Sequence, residues 1–190
     1  MATKRNRNTR RRRKCSSSSS SSKSISLLML VLVMVLTMLV STITTVSAGA
    51  GTLVKGINSY SNASVEQLRK VTKGTRLSGY EQTILDAEKK YDVNALFICA
   101  VAKVETGMGN AGTGKSKNNA FGLTNGSGYA RYDNIGVSVQ EFARIINTKY
   151  FKNGKYTAYQ IGNMYCPSNP SSWASKVDSA LTELYKKCLN

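Results

Sequence analysis

Residues 95–124, ALFICAVAKVETGMGNAGTGKSKNNAFGLT, decide how this chain folds. Leu96, Phe97, Ile98, Cys99, Ala100, Val101, Ala102 and Val104 are apolar, with no polar stripe wide enough to face water. That pattern describes a helix buried on most sides, interrupted only by Lys103 and Glu105. Asn94 is a good N-cap and Gly107 is the residue type that ends helices in a left-handed conformation, so Glu105 is expected in the last helical turn. Burial disfavours its ionised form, and the negative end of the helix dipole adds roughly 0.3–1 kcal/mol in the same sense. A carboxyl kept protonated near neutral pH can act as a general acid. The competing reading, a glutamate snorkelling into solvent, is weakened by the glycine-rich mouth that follows it.

Outward from this stretch, helical signals dominate. Ser64-Val65-Glu66-Gln67 offers a capping box for a helix carrying Val65, Leu68 and Val71. A second helix is expected from Tyr80 to Tyr91, with Ile84, Ala87 and Tyr91 on one face. From Gly107 to Gly136 the chain is rich in glycine and asparagine, and Ala120–Leu123 and Tyr129–Tyr132 suggest short strands around the turn pair Asn125-Gly126. Ser138 to Glu141 reads as another capping box, opening a helix with Val139, Phe142, Ile145 and Ile146 inward. A short helix over Tyr156–Tyr165 follows, then Pro167 and Pro170 as breakers. The last helix, Ser172–Lys187 with Ser171 as cap, places Trp173, Val177, Ala180, Leu181, Leu184 and Cys188 on one stripe that reads as core. The expected fold class is mainly α (α+β), a helical domain with a small loop and hairpin lobe.

The N-terminal third has a different composition. Residues 1–24 carry nine basic side chains and no acid, with a serine tract at Ser16–Ser22, and read as a disordered tail. Residues 25–47 are uncharged and mostly Leu, Val and Met, the arrangement of a signal peptide or a membrane anchor. Residues 48–63 read as a linker and 64–190 as the folded domain. Both versions of the apolar segment place the domain outside the membrane. The formal charge of +17 is concentrated in the tail; residues 51–190 hold 18 basic and 10 acidic residues without a basic block. That excess suits an anionic polymer such as a cell wall, and nucleic acid is not the expected partner.

The chain has no histidine and four scattered cysteines, which argues against a metal site and excludes histidine-based triads; no cofactor is expected. Cys166 and Cys188 flank the last helix and could pair in an oxidising compartment. Gly109 to Ser116 matches GxxxxGK[ST] letter for letter. A phosphate-binding loop needs a buried strand before it and a helix after it, whereas a helix precedes this one and Lys117-Asn118-Asn119 follows, so the match is set aside.

Val104-Glu105-Thr106-Gly107-Met108-Gly109 and Asn118-Asn119-Ala120-Phe121-Gly122-Leu123 together resemble the ETGxG and NNLFGI signatures of bacterial N-acetylglucosaminidases of glycoside hydrolase family 73. Tyr91 to Asn94 is similar to that family's YGVN lead, and Tyr129 to Asp133 to its F-R-x-Y-D segment. The resemblance covers about 64–190. It implies a lysozyme-like fold and hydrolysis of a β-1,4 bond in peptidoglycan glycan strands, with Glu105 protonating the leaving oxygen. It also implies Tyr132 as the site tyrosine, and Asn118, Asn119, Phe121, Gly122 and Tyr129 as lining of a sugar groove.

Two-carboxylate glycosidases need a second acid at a spacing set by their stereochemistry. Between Glu105 and Glu141 the sole acid is Asp133. Either Asp133 serves, or the substrate's acetamido group assists, or the bond is cleaved without water as in lytic transglycosylases. A muramidase product and a non-catalytic wall-binding module are the remaining alternatives.

Overall fold

The structure is a computed structural model that describes residues 55–190. The basic tail and the apolar segment expected over 25–47 lie outside the described residues. Among the described residues no helix is long and apolar enough to cross a membrane.

Among the described residues seven α-helices follow one another: α1 (Val65–Thr72), α2 (Glu81–Tyr91), α3 (Ala95–Thr106), α4 (Gly112–Lys117), α5 (Ile135–Ile145), α6 (Ala158–Tyr165) and α7 (Pro170–Leu189). A π-helical turn (Ile146–Tyr150) and a 3-10 turn (Phe151–Asn153) extend α5. Helix α3 is the centre of the core and packs chiefly on α7, while α6 lies on α7 and α2 on α5. The buried stripe of α7 contains Trp173, Val177, Ala180, Leu181, Leu184 and Cys188, as its periodicity predicts.

Both ends of α3 are secured by side chains. The Asn94 side chain accepts from Leu96 N and Phe97 N, at 2.9 and 3.1 Å, and the buried Glu88 carboxylate accepts from Ala95 N at 2.8 Å. Three N–H groups that a helix start leaves unpaired are thereby satisfied. At the other end Gly107 is left-handed, φ 58°, and its N–H returns to Lys103 O. Thr106, buried, donates to Ala120 O at 2.7 Å and accepts from Gly109 N at 2.9 Å, tying the helix end to the following lobe. Glu88 also accepts from Ser61 N, and Asn94 N donates to Ile57 O. The stretch from Ile57 to Ser61, expected as linker, is therefore part of the packed body.

Several local expectations shift. The predicted hairpin reduces to one antiparallel bridge, Thr124 with Tyr129. The Asn119 amide takes the place of a ladder, donating to Leu123 O and Ala130 O and accepting from Leu123 N. Helix α5 begins before Ser138, capped by Asn134, whose side chain accepts from Val137 N. Ser138 is buried inside the helix and bridges Ile135 O and Ala120 N. Pro170 opens α7 rather than breaking the chain before it, because a first-turn residue needs no N–H.

Cys166 and Cys188 are free thiols. They sit at opposite ends of α7, a helical span of about 27 Å at 1.5 Å per residue, against the roughly 7 Å that a disulfide tolerates between Cα atoms. Within the phosphate-loop look-alike, Gly114 lies against Gly109: a Cβ at Gly114 would stand 2.5 Å from Gly109 Cα. These glycines permit a close backbone contact with each other. A six-residue helix, α4, contains the Gly-Lys-Ser end of the motif, and no strand leads into it.

Candidate active site

A groove of about 860 Å³ opens where α3 ends. The end of α3 contributes Val104, Glu105 and Thr106; the lobe contributes Phe121 to Thr124 and Tyr129. The opposite side is made by Lys149 and Tyr150 of the π-helical turn, Met164 and Tyr165 of α6, and Trp173 and Lys176 of α7. Glu105 is the sole carboxylate among the lining residues.

Glu105 is half-buried, and the Trp173 indole donates to its Oε1 at 2.7 Å. Burial pushes its pKa above the ordinary carboxylate value, and the indole N–H, which favours the ionised form, pulls it part of the way back. Lys149 and Lys176 also line the groove.

Gly122 has φ 63°, a conformation that suits glycine. A methyl group there would lie 3.9 Å from Glu105 Oε2 and 3.8 Å from Tyr129 Cε1. Tyr129 is 55% exposed, so its ring offers a stacking face at the groove wall. Phe121 contributes from below: it is 1% exposed and stacks on Phe142 with ring centroids 4.1 Å apart. The Tyr165 hydroxyl donates to Phe121 O, and its ring packs 5.1 Å from that of Trp173. Burial, then the nearby Glu105 charge, raises the Tyr165 pKa well above its ordinary value, so this hydroxyl stays a donor.

Of the eight site residues expected from sequence, the structure brings together Glu105, Phe121, Gly122 and Tyr129. The other four are not among the groove lining. Asn119 is fully buried as the clamp described above. Asn118 is left-handed, φ 54°; its amide donates to Tyr132 O and Asp133 O, and its oxygen accepts from Arg76 at 2.6 Å. Both asparagines shape the lobe from inside, because their polar atoms are committed to backbone and to Arg76. Tyr132 is half-buried against the core, with burial and the Glu141 charge raising its pKa. Asp133 is exposed on the approach to α5.

Trp173 and Tyr165 escaped the sequence reading. Trp173 sits on a clean apolar stripe, which reads as core. The available signal was polar: a buried indole N–H needs an acceptor, and a buried glutamate needs a donor.

A family profile described as Mannosyl-glycoprotein endo-beta-N-acetylglucosaminidase matches residues 81–186. The chain belongs to this family. Two Streptococcus pneumoniae proteins, of strains TIGR4 and R6 and provisionally described as endo-beta-N-acetylglucosaminidases, are each 34% identical over 77 residues, 38% of this chain. The match spans 12% and 11% of their own lengths. Among solved structures, S. aureus autolysin E in complex with the muropeptide NAM-L-Ala-D-iGlu superposes with a TM-score of 0.60 at 24% identity, over 69% of this chain and 70% of that one. A Glu-to-Ala catalytic mutant of autolysin E, with the disaccharide NAG-NAM, gives a TM-score of 0.59 at 23% identity over the same shares. The helical fold expected from sequence is the one these structures share.

Proposed function

We propose that the domain is a peptidoglycan hydrolase that cleaves a β-1,4 glycosidic bond of the glycan strand as an endo-β-N-acetylglucosaminidase, with Glu105 as general acid. The observation that carries this reading is the half-buried Glu105 in an open groove, its pKa raised by burial and its Oε1 held by an indole. Family membership and the muropeptide and disaccharide complexes of autolysin E support the substrate class.

In this mechanism Glu105 gives its proton to the glycosidic oxygen as the C1–O bond breaks, and positive charge develops on the sugar ring. No second carboxylate lines the groove, and Asp133 is exposed away from it. In this reading the substrate's own acetamido oxygen bonds to C1 as the leaving oxygen departs; water then opens that intermediate with ionised Glu105 accepting its proton. Tyr129 stacks on a sugar face, and Gly122 lets the chain approach. The domain acts on the outer side of a membrane, where an N-terminal apolar segment, retained or removed, would deliver it.

Glu105→Gln should abolish release of reducing ends from purified cell walls, a loss of at least about 100-fold. Undiminished activity would sink the assignment, and binding without turnover in the unmodified protein would support a wall-binding module. Mass spectrometry of the released muropeptides separates the products: reducing N-acetylglucosamine for this reading, reducing N-acetylmuramic acid for a muramidase, anhydro ends for a transglycosylase.

A further inference from the structure

We propose that Trp173 is the positioning residue of Glu105: its indole N–H holds Oε1 and leaves Oε2, beside Gly122 and Tyr129, to carry the proton delivered to the substrate. The inference rests on the reading of Glu105 as the acid.

A protonated carboxyl has one bare oxygen that only accepts and one hydroxyl that donates, while an indole N–H can only donate. The bare oxygen is the stronger acceptor of the two, so the contact at 2.7 Å from Trp173 Nε1 favours Oε1 as the bare oxygen when Glu105 is protonated. That leaves the hydroxyl on Oε2, which lies toward Gly122. A freely rotating carboxyl would share the proton between both oxygens and present it in the productive direction only part of the time.

The indole itself is fixed. Trp173 is 6% exposed, and a Cβ on Gly162 of α6 would already stand 3.0 Å from its Cε3. Tyr165 packs on the indole and is anchored through its hydroxyl to Phe121 O. Helix α6 and the lobe thus brace the donor on α7 that orients the acid on α3. The charged and titratable groups facing this point are Tyr165 on α6 with Cys166 just after it, Lys176 on α7, Lys149 and Tyr150 on the π-helical turn and Tyr129 on the lobe. Lys103 on α3 is engaged by Glu183. The indole is the one neighbour found to favour the ionised form of Glu105.

Because the chain contains a single tryptophan, the full-length protein gives one indole N–H resonance in a ¹⁵N-labelled sample. That resonance should titrate with the Glu105 pKa and become flat in Glu105→Gln. Trp173→Phe keeps an aromatic ring and removes the donor. It should lower kcat about 10- to 100-fold, the range of a hydrogen bond to a charged group, with KM little changed. Losing a donor that favours the carboxylate raises the Glu105 pKa, so the alkaline limb of the kcat profile should move to higher pH.

Replacing the tryptophan biosynthetically by benzothienylalanine, where sulfur stands in the place of N–H, should reproduce both effects in a side chain of nearly the same shape. An indole resonance indifferent to Glu105, or an unmoved pH profile with kcat retained in the sulfur analogue, overturns the proposal. A wild-type protein without turnover would defeat the hydrolase reading, and the indole titration would still decide the contact.

Discussion

Helix α3 and the glycine-rich lobe that follows it meet at Glu105, and they are held by different forces. Eight consecutive residues of α3, Ala95 to Ala102, are 0% exposed, so the helix is fixed by apolar contact on every side and by caps at its ends. The lobe buries a smaller apolar set, with Phe121 as its one large fully buried side chain. It is held by amides: Asn119 joins Leu123 to Ala130, Asn118 joins Arg76 to Tyr132 and Asp133, and Gly114 closes on Gly109. Many weak contacts give way gradually, whereas a clamp of three hydrogen bonds on one side chain fails at once. Glu105 is mounted on the apolar helix, and the groove wall opposite Trp173 is built on the hydrogen-bonded lobe.

The largest effect should come from breaking the clamp. Asn119→Ala removes two donors and one acceptor from a fully buried position; Leu123 O keeps the Ala130 N–H, but Ala130 O and Leu123 N lose their partner, at a cost of about 3–5 kcal/mol in chemical denaturation. Asn119→Asp should be nearly as damaging, since an aspartate accepts from Leu123 N but cannot donate to the carbonyls. A cost below about 1 kcal/mol would mean that the lobe draws its stability from elsewhere. Next in size is Gly114→Ala. Its Cβ would meet Gly109 backbone at 2.5–2.8 Å, an overlap that no rotamer relieves, and a loss of about 2–3 kcal/mol follows. On the α3 side the most exposed weakness is the cap: Asn94→Ala should cost about 1–2 kcal/mol, because the apolar burial of the helix survives it.

The difference between the two regions also explains what could be read from sequence. Helix α3, its cap at Asn94, its end at Gly107 and the Ser64–Gln67 capping box depend on residues within one or two turns, and all are found as expected. Misreadings arise where a side chain serves a distant partner. Ser138 looks like a cap because its local spacing fits, but its hydroxyl bridges Ile135 to Ala120, and Asn134 takes the cap. Asn118 and Asn119 enter as groove lining only through the family resemblance; their side chains are engaged in holding the lobe. Trp173 shows the reverse error: its apolar ring hid a polar contact to a residue 68 positions away. Linear spacing carries no trace of such contacts.

The smallest expected effect tests Glu105 itself, where the two regions join. Its pKa in the folded protein is raised, chiefly by burial, so the folded state binds its proton more tightly than the unfolded chain does. Stability contributed by that proton is fully present below the unfolded pKa of about 4.3 and is lost as pH rises toward the raised folded value. Glutamine does not titrate and can still accept from the Trp173 indole. Glu105→Gln should therefore match the wild type at pH below about 4, become the more stable protein as pH rises through that window, and keep its advantage at neutral pH. The gain is read as a higher melting temperature of the variant at neutral pH and coincident melts in acid. Two melting curves that stay parallel from acid to neutral pH would show that burial costs the ionised carboxylate nothing. In that case the acid would lack the environment that the end of α3 provides for it.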